Sequence, residues 1–285
     1  MKIRNYLSLI VFAHTIFAMP FALTGFFLAI RYAGYPFYWQ QLLLVIACMV
    51  WARNAAMGFN RWADRWIDRE NPRTAQREIP SGVIPGRAAL LFSIVNAVLF
   101  ILTAGMLNHL CLFLSPVALL IILGYSYTKR FTWLCHLILG LGLSLAPIGA
   151  YLAVTGRFDW LPLFFSGVVI TWVGGFDIIY SLQDEQFDRS MSLHSIPAHI
   201  GVKNALGASI VLHLITAAIV VGIGWAGLGN WVYWTGSLIF IGLLLYQHLI
   251  VKPGDLSRIN RAFGTTNGVA SLIYAIFTII SLYLN

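Results

Sequence analysis

Long apolar runs separated by short polar connections recur from one end of the chain to the other. Each run approaches the roughly 20 residues that an α-helix needs to cross a hydrocarbon core of about 30 Å. The runs are too long and too uniformly apolar for barrel strands, which alternate over about 10 residues. We therefore predict an all-α, polytopic membrane protein, a single domain over residues 1–285. The predicted spans are nine: Leu7–Ile30, Tyr38–Phe59, Ala88–Leu107, Leu110–Tyr127, Trp133–Val154, Leu161–Leu182, Ala205–Gly227, Trp231–Ile250 and Phe263–Leu284.

The composition supports a membrane protein. Hydrophobic residues make up 59% of the chain and charged residues only 10%, whereas soluble domains carry roughly 25% charged residues. Cys48, Cys111 and Cys135 are scattered without metal-ligand spacing, so we interpret them as buried small side chains. The net charge of +8 does not indicate a nucleic-acid partner, because basic residues in a membrane protein first report topology.

The basic residues lie almost entirely on one side of the predicted membrane. Two of the 18, Arg31 and Arg157, fall on the opposite side, and Arg53 falls within the second span. The asymmetry predicts a cytoplasmic N-terminus. The other fifteen lie in the loops of the N-terminal side: Lys2, Arg4, Arg61, Arg65, Arg69, Arg73, Arg77, Arg87, Lys129, Arg130, Arg189, Lys203, Lys252, Arg258 and Arg261.

The acidic residues form two clusters. Of ten acids, only Asp159 and Asp255 lie elsewhere. Charge near a bilayer is costly and loops tolerate it anywhere, so this concentration predicts a functional site. The first cluster is Asp64, Asp68, Glu70 and Glu78, and the second is Asp177, Asp184, Glu185 and Asp188.

The spacing of each cluster matches one face of a helix. Asn60, Asp64 and Asp68 are four residues apart, and Asp177 lies seven residues before Asp184, which precedes Asp188 by four. The clusters follow spans two and six, so we predict two parallel pseudo-repeats around a central cavity. Like charges at such spacing repel, and a cation is therefore expected between them.

Mg²⁺ is the cation that this pattern favours. It is a hard ion that binds a few carboxylates together with substrate phosphates. The loop after the first cluster carries Arg73 and Arg77, and the next loop on the same side carries Lys129 and Arg130. Such cations bind phosphate oxygens, so acids and bases together predict diphosphate recognition.

Several residues have a second interpretation. Arg61, Arg65, Arg69 and Arg87 are explained by topology or by lipid headgroups. Arg53 lies within an apolar span and is the strongest single functional indication inside the membrane. Tyr125 and Tyr127 have the composition of interfacial aromatics, and His194 and His199 lack spaced partner acids, so we assign them no metal.

The motifs resemble the UbiA-type intramembrane aromatic prenyltransferases. The first family motif is similar to Asn60-Arg61-Trp62-Ala63-Asp64-Arg65-Trp66-Ile67-Asp68 and its continuation through Gly82, and the second to Asp177, Asp184 and Asp188. Tyr125 to Lys129 resembles the family's Tyr-x-x-x-Lys, and His14 to Ala22 its first helix. Arg61 departs from the pattern, since that position is commonly Asp, which leaves the metal shell open.

The resemblance implies Mg²⁺-dependent transfer of a prenyl group from polyprenyl diphosphate to an aromatic carboxylate, in quinone biosynthesis at the cytoplasmic side of the inner membrane. It implies catalytic roles for Asp64, Asp184 and Arg53, and lipid around the protein. The implied residues fall into two sets: metal at Asn60, Asp64, Asp68, Asp177, Asp184 and Asp188, and substrate at Arg53, Arg73, Arg77, Tyr125 and Lys129.

Two acceptors remain open. They are 4-hydroxybenzoate, of ubiquinone synthesis, and 1,4-dihydroxy-6-naphthoate, of the futalosine route to menaquinone. The stretches Gln183 to Arg189 and Leu193 to Pro197 look more like the second branch. Both acceptors carry a carboxylate, so Arg53 does not separate them.

Two other functions compete. A cation or proton transporter also carries acids on repeated helices, although its carboxylates usually lie near the bilayer midplane. A membrane phosphotransferase with an Asp-rich motif would need glycines that are absent around Asp64 and Asp68.

Overall fold

The computed structural model describes residue 9 and residues 17–284 of the chain. Its regular elements are helices, which confirms the all-α prediction. They are α1 (Met19–Phe27), α2 (Trp39–Ala63), α3 (Arg65–Glu70), α4 (Gly86–Leu107), α5 (His109–Thr128), α6 (Cys135–Thr155), α7 (Trp160–Ser181), α8 (Glu185–Ser190), α9 (Ile196–Ile223), α10 (Trp231–Ile250) and α11 (Asn267–Ser281).

Eight helical segments within the described residues are long and apolar enough to cross a membrane. The segment Met19–Tyr32, which joins α1 to a π-helical turn, is apolar but shorter. The predicted first span, Leu7–Ile30, begins outside the described residues. Lys2, Arg4 and the first three residues of the His14 to Ala22 motif also lie outside them. The count of nine spans therefore stays a prediction.

The seventh predicted span begins too late. Helix α9 begins at Ile196 rather than Ala205, because the Ser195 side chain accepts a hydrogen bond from the Ala198 N–H and Pro197 occupies the first turn. Both features start a helix in polar sequence. Gly201, with φ of 79°, then kinks this leading turn away from the apolar part of the helix.

Helices α6 and α7 form the centre of the bundle and are its most buried spans. They approach closely at Gly140, where an added Cβ would lie 2.5 Å from the backbone oxygen of Ile170. Helix α1 approaches α6 in the same way, with Gly25 against Pro147. Small residues at such crossings let backbones pack in contact, which is how helices associate in lipid.

A buried amide fastens the C-terminal helix to this centre. Asn267, the first residue of α11, accepts hydrogen bonds from Trp172 Nε1 at 2.9 Å and Gln247 Nε2 at 2.8 Å. Its own amide donates to the backbone oxygens of Ala262 and Phe263, both at 3.0 Å. These two residues belong to a π-helical turn, Arg261–Thr266, so the amide hydrogen-bonds two backbone carbonyls of this irregular turn.

Both aspartate clusters lie where a long helix breaks. Helix α2 ends at Ala63 and the six-residue α3 follows after Asp64, while α7 is followed by a 3₁₀ turn ending at Asp184 and then by the six-residue α8. Asp64 (φ −93°, ψ 6°) and Asp184 (φ −101°, ψ 1°) share the bridge conformation. The predicted continuous helical faces are thus interrupted, and the matching breaks agree with two parallel halves.

We expect Gly140→Ala to lower the stability of the bundle. The new methyl would overlap the Ile170 carbonyl, and overpacking of this kind typically costs about 1–3 kcal/mol. Thermal unfolding of the purified protein in detergent measures the change. Gly207→Ala is the matched control, because nothing lies within 4 Å of its added Cβ. Equal unfolding midpoints for the two variants would contradict the close crossing of α6 and α7.

Candidate active site

A cavity of about 610 Å³ lies among α2, α4, α5, α6 and α7. One end is polar and contains the aspartate clusters. The remainder is apolar, lined by side chains such as Val45, Met49, Phe100, Leu107, Ile121, Leu143 and Phe158. The cavity therefore suits an amphipathic molecule with a small charged head and a long apolar tail.

Each of the four aspartates at the polar end contacts a different cation. The loops after α3 and α5 supply all four cations, and the two pairs made by Asp184 and Asp188 tie the two halves of the chain together. The pairs are Asp64 Oδ1 with Arg130 Nη2 at 3.1 Å, Asp68 Oδ1 with Arg77 Nη1 at 2.7 Å, Asp184 Oδ2 with Arg73 Nη2 at 2.6 Å and Asp188 Oδ1 with Lys129 Nζ at 2.8 Å.

The Asp184 carboxylate has the most complete shell. Arg73 binds it with two nitrogens, Nε to Oδ1 at 2.9 Å and Nη2 to Oδ2 at 2.6 Å. The Asn71 side chain donates to the same Oδ1 at 3.1 Å, and Asn71 Oδ1 accepts the Arg73 backbone N–H at 2.9 Å. The loop after α3 is therefore folded around a carboxylate that lies 111 residues later in the chain.

Burial and ion pairing act in opposite directions on the pKa values of these groups. Burial lowers the pKa of Lys129, but the charge of Asp188 and its hydrogen bond more than offset this, and the pKa is raised. For Arg73, too, burial is outweighed by the hydrogen bond and charge of Asp184, so its pKa is raised. Burial raises the pKa of Asp64 despite the hydrogen bond from Arg130. The negative charge of Asp64 is therefore incompletely compensated.

Tyr180 orients Arg73 from the other side. Its hydroxyl accepts a hydrogen bond from Arg73 Nη1 at 3.0 Å, and its ring lies beneath the guanidinium at 5.3 Å. Phe263, from the π-helical turn, stacks on the same ring with a centroid distance of 4.0 Å. Sequence reasoning missed both aromatics. Tyr180 lies four residues before Asp184, and this spacing was the available signal.

Asp177 lines the cavity, but its partner is His136, whereas each of the other four aspartates contacts an arginine or a lysine. His136 Nδ1 is 2.7 Å from Asp177 Oδ2. Because His136 Nε2 accepts the Ile196 backbone N–H at 3.3 Å, the hydrogen-bond pattern assigns the ring proton to Nδ1, facing Asp177. The role of Asp177 as a metal ligand stays a prediction. His136 was not a sequence candidate, because a lone histidine beginning an apolar run gives no spaced motif.

The remaining predicted residues also line the cavity. Asn60 donates to Asp64 Oδ2 at 3.1 Å and lies 3.5 Å from the Ser126 hydroxyl, next to Tyr125. Arg53 lies in the wall two helical turns from Asn60, about 10 Å along the axis of α2. The site is thus elongated, with a cationic residue partway along the apolar portion.

Arg61 contradicts its interpretation as a topology or headgroup residue. Its side chain is buried, 8% exposed, and it lines the cavity. Helix α2 continues to Ala63, two residues beyond Arg61, so Arg61 is on a helical turn facing the interior rather than in a loop. It adds positive charge to the polar end.

The carboxylates fit a divalent cation completed by a phosphate. Asp68 Oδ2 and Asp188 Oδ2 are buried and have no hydrogen-bond partner among the residues that the structure describes. In that same part of the chain, no three His, Cys, Asp or Glu side chains are close enough to hold an ion by themselves. Mg²⁺ commonly combines one or two carboxylates with substrate phosphates, so this donor set fits it when a diphosphate supplies further oxygens.

The chain is similar to known prenyl-transferring proteins. A family model described as the UbiA prenyltransferase family matches residues 18–276. A 4-hydroxybenzoate octaprenyltransferase from Vibrio parahaemolyticus is 31% identical over 236 residues, which cover 82% of each chain. A protein of the same description from Nitrosospira multiformis is 30% identical over 234 residues, 82% of this chain and 80% of that one.

Solved structures share the fold. The apo structure of a UbiA homologue from Aeropyrum pernix superposes with a TM-score of 0.84 at 34% identity, covering 94% of this chain and 97% of that one. A UbiA homologue from Archaeoglobus fulgidus, solved with GPP and Mg²⁺ bound, has a TM-score of 0.72 at 20% identity, with 98% and 99% covered. At that identity the second likeness supports the fold alone.

We expect Asp68→Asn and Asp188→Asn to weaken binding of Mg²⁺ together with pyrophosphate. Each substitution removes a negative oxygen from the buried end of the cavity, and the affinity should fall about tenfold or more. Calorimetry on the purified protein, titrated with Mg²⁺ and pyrophosphate together, measures it. Asp255→Asn is the control, since Asp255 lies on an exposed loop. Wild-type affinity in both cavity variants would contradict the cation site.

Proposed function

Because this chain belongs to the UbiA prenyltransferase family, we propose that it transfers a polyprenyl group from a polyprenyl diphosphate to an aromatic carboxylate, with Mg²⁺ as cofactor. The observation that carries this proposal is the cavity, in which four aspartates and their four cations occupy one end and apolar side chains occupy the rest. A prenyl diphosphate has the same division into charged head and apolar tail.

The basic residues would bind the diphosphate. Arg73, Arg77 and Lys129 carry positive charges that their aspartates now neutralise. A diphosphate lying between them would take up these cations, and the freed carboxylate oxygens would hold Mg²⁺. When bound, Mg²⁺ would stabilise the charge that develops on the departing diphosphate.

The transfer requires cleavage of one bond and formation of another. The bond between the allylic carbon and the diphosphate oxygen breaks, and its electron pair leaves with the diphosphate. Arg73, Arg77 and Lys129 would stabilise that charge where it develops, in a partly buried site. The allylic carbon is then attacked by an electron-rich ring carbon of the acceptor, and that carbon passes its proton to solvent water, which restores the aromatic ring.

Arg53 would hold the acceptor carboxylate. A guanidinium binds a carboxylate with two parallel hydrogen bonds, and Arg53 lies about 10 Å along α2 from Asn60. This separation would place the acceptor ring between Arg53 and the diphosphate. The curated relatives are 4-hydroxybenzoate octaprenyltransferases, whereas the sequence around Asp184 resembles the 1,4-dihydroxy-6-naphthoate branch, so both acceptors belong in the assay.

The polar end of the cavity would face the cytoplasm. It lies beside the loops after α3 and α5, which carry Arg73, Arg77, Lys129 and Arg130. Loops rich in Lys and Arg stay on the cytoplasmic side. This orientation, in the inner membrane with the N-terminus inside, would expose the diphosphate end to cytoplasmic Mg²⁺ and leave the prenyl tail in the membrane.

The decisive experiment incubates membranes containing the protein with polyprenyl diphosphate, Mg²⁺ and each acceptor, and measures prenylated product. We expect Asp64→Asn and Asp184→Asn to reduce the rate by about 100-fold or more, because each removes a ligand or its partner from the charged end. Chelation of Mg²⁺ should have the same effect.

Two results would contradict the proposed function. If both aspartate variants formed product at the wild-type rate, the proposed metal-assisted prenyl transfer would be wrong. Ion flux that depends on those aspartates, without any prenylated acceptor, would instead establish a cation or proton transporter. A comparison of the two acceptors in one reaction identifies the branch.

We expect Arg53→Gln to raise KM for the carboxylate acceptor by about tenfold to 100-fold with a smaller effect on KM for the prenyl diphosphate. A hydrogen bond to a charged group contributes about 1.5–3 kcal/mol, and 1.4 kcal/mol is tenfold. A phenol without the carboxylate should react equally with variant and wild type. Arg157→Gln, at an exposed position, is the control. An unchanged acceptor KM would remove Arg53 from the acceptor site.

A further inference from the structure

A second concave site of about 370 Å³ lies outside the catalytic cavity and shares no lining residue with it. It is formed by the end of α2, the short helix α3 and the beginning of α4. We call it the arginine groove. Its principal lining residues are Trp62, Arg65, Trp66, Arg69, Ile79 and Arg87.

The groove is strongly positive. Among the residues that the structure describes, three arginines line it and no acidic side chain does. Arg65, Arg69 and Arg87 form no ion pair with any carboxylate in the part of the chain that the structure describes. By contrast, Arg73 and Arg77 at the catalytic end are each paired with an aspartate. The charge of the groove is therefore left for an anion from outside the protein.

Two tryptophans hold the central arginine in place. The Arg65 guanidinium lies 4.8 Å from the Trp62 ring centroid and 5.3 Å from that of Trp66. Its Nη1 also donates to the Trp62 backbone oxygen at 2.6 Å. Trp66 is 63% exposed. Exposed tryptophan at the end of a membrane span is typical of the headgroup level of a bilayer.

An apolar stripe continues from the groove along α4. Starting at Arg87, the positions four, seven, eleven and fifteen residues later lie on the same helical face. These positions are Leu91, Ile94, Val98 and Leu102, and all of them are exposed. The groove and the stripe together match the shape of a phospholipid, with a headgroup at the arginines and an acyl chain along the helix.

We propose that the arginine groove binds the phosphate of an anionic phospholipid. Charge alone would also accept free phosphate, but the stripe below Arg87 and the exposed Trp66 favour a lipid. The proposal does not rest on the catalytic function, because it concerns residues outside the cavity and is tested by binding.

The test measures retention of lipid by the purified full-length protein in native mass spectrometry. Phosphatidylglycerol is the anionic probe, phosphatidylcholine the zwitterionic one and inorganic phosphate the competitor. The groove variant is Arg65→Gln, Arg69→Gln and Arg87→Gln combined. Its matched control removes the same charge from exposed positions of the same predicted membrane side, by Lys203→Gln, Lys252→Gln and Arg258→Gln combined.

We expect the wild type and the control variant to retain one phosphatidylglycerol. In the groove variant, the fraction of protein that retains this lipid should fall by about tenfold or more. Phosphatidylcholine should not be retained, and inorganic phosphate should not displace the lipid. Equal retention by the groove variant, or equal loss in the control, would overturn the site. Displacement by inorganic phosphate would replace the lipid with a free anion and overturn the proposal as stated.

A milder variant separates a loss of lipid binding from a loss of folding. Arg87→Gln alone changes a residue in the first turn of α4 and leaves the packing of Arg65 between its tryptophans intact. It should weaken retention in part while the thermal unfolding midpoint stays at the wild-type value. If Arg87→Gln retains the lipid fully, and the triple variant loses it only when its unfolding midpoint also falls, the loss is caused by unfolding. The site would then be rejected.

Discussion

The interaction on which the site depends is the pairing of four aspartates, three of them buried and Asp64 half-buried, with four cations. Burying a charge is costly unless it is paired, so the carboxylates determine where the arginines and the lysine must lie. Three of the pairs join distant parts of the chain: Asp184 with Arg73, Asp188 with Lys129, and Asp64 with Arg130. The same charges that hold this end of the bundle together are those that a diphosphate and a metal would engage. Substrate binding would therefore exchange one set of ion pairs for another.

A break in each long helix accompanies this pairing. The spacing of the aspartates alone would keep each set on one face of a continuous helix. Asp64 and Asp184 instead adopt the sparsely populated bridge conformation, and the short helices after them return Asp68 and Asp188 to the interior, where each is at most 6% exposed. Local backbone irregularity at such positions is common at functional sites because the surrounding contacts hold it there.

Apolar length predicted the eight spans found in the described residues, and the clustering of acids predicted four aspartates that the structure brings to one end of the cavity, because both are local properties of the sequence. Asp64, Asp68, Asp184 and Asp188 were all identified in this way. The partner of each aspartate could not be predicted, since Arg73 and Asp184 are 111 positions apart and meet only through the packing of the bundle. The interior position of Arg61 was missed for a related reason: charge composition does not reveal on which side of a helix end a side chain lies.

The amide of Asn267 has a consequence for how the protein is made. Phe263, which stacks on Tyr180 and thereby steadies Arg73, belongs to the turn that Asn267 holds. A ribosome synthesises the aspartate motifs long before it reaches this turn. A nascent chain would therefore have both motifs in the membrane while Arg73 still lacks part of its support. The polar end of the cavity would be complete only after the last helix has packed. The bundle would therefore assemble before the site could bind its substrate.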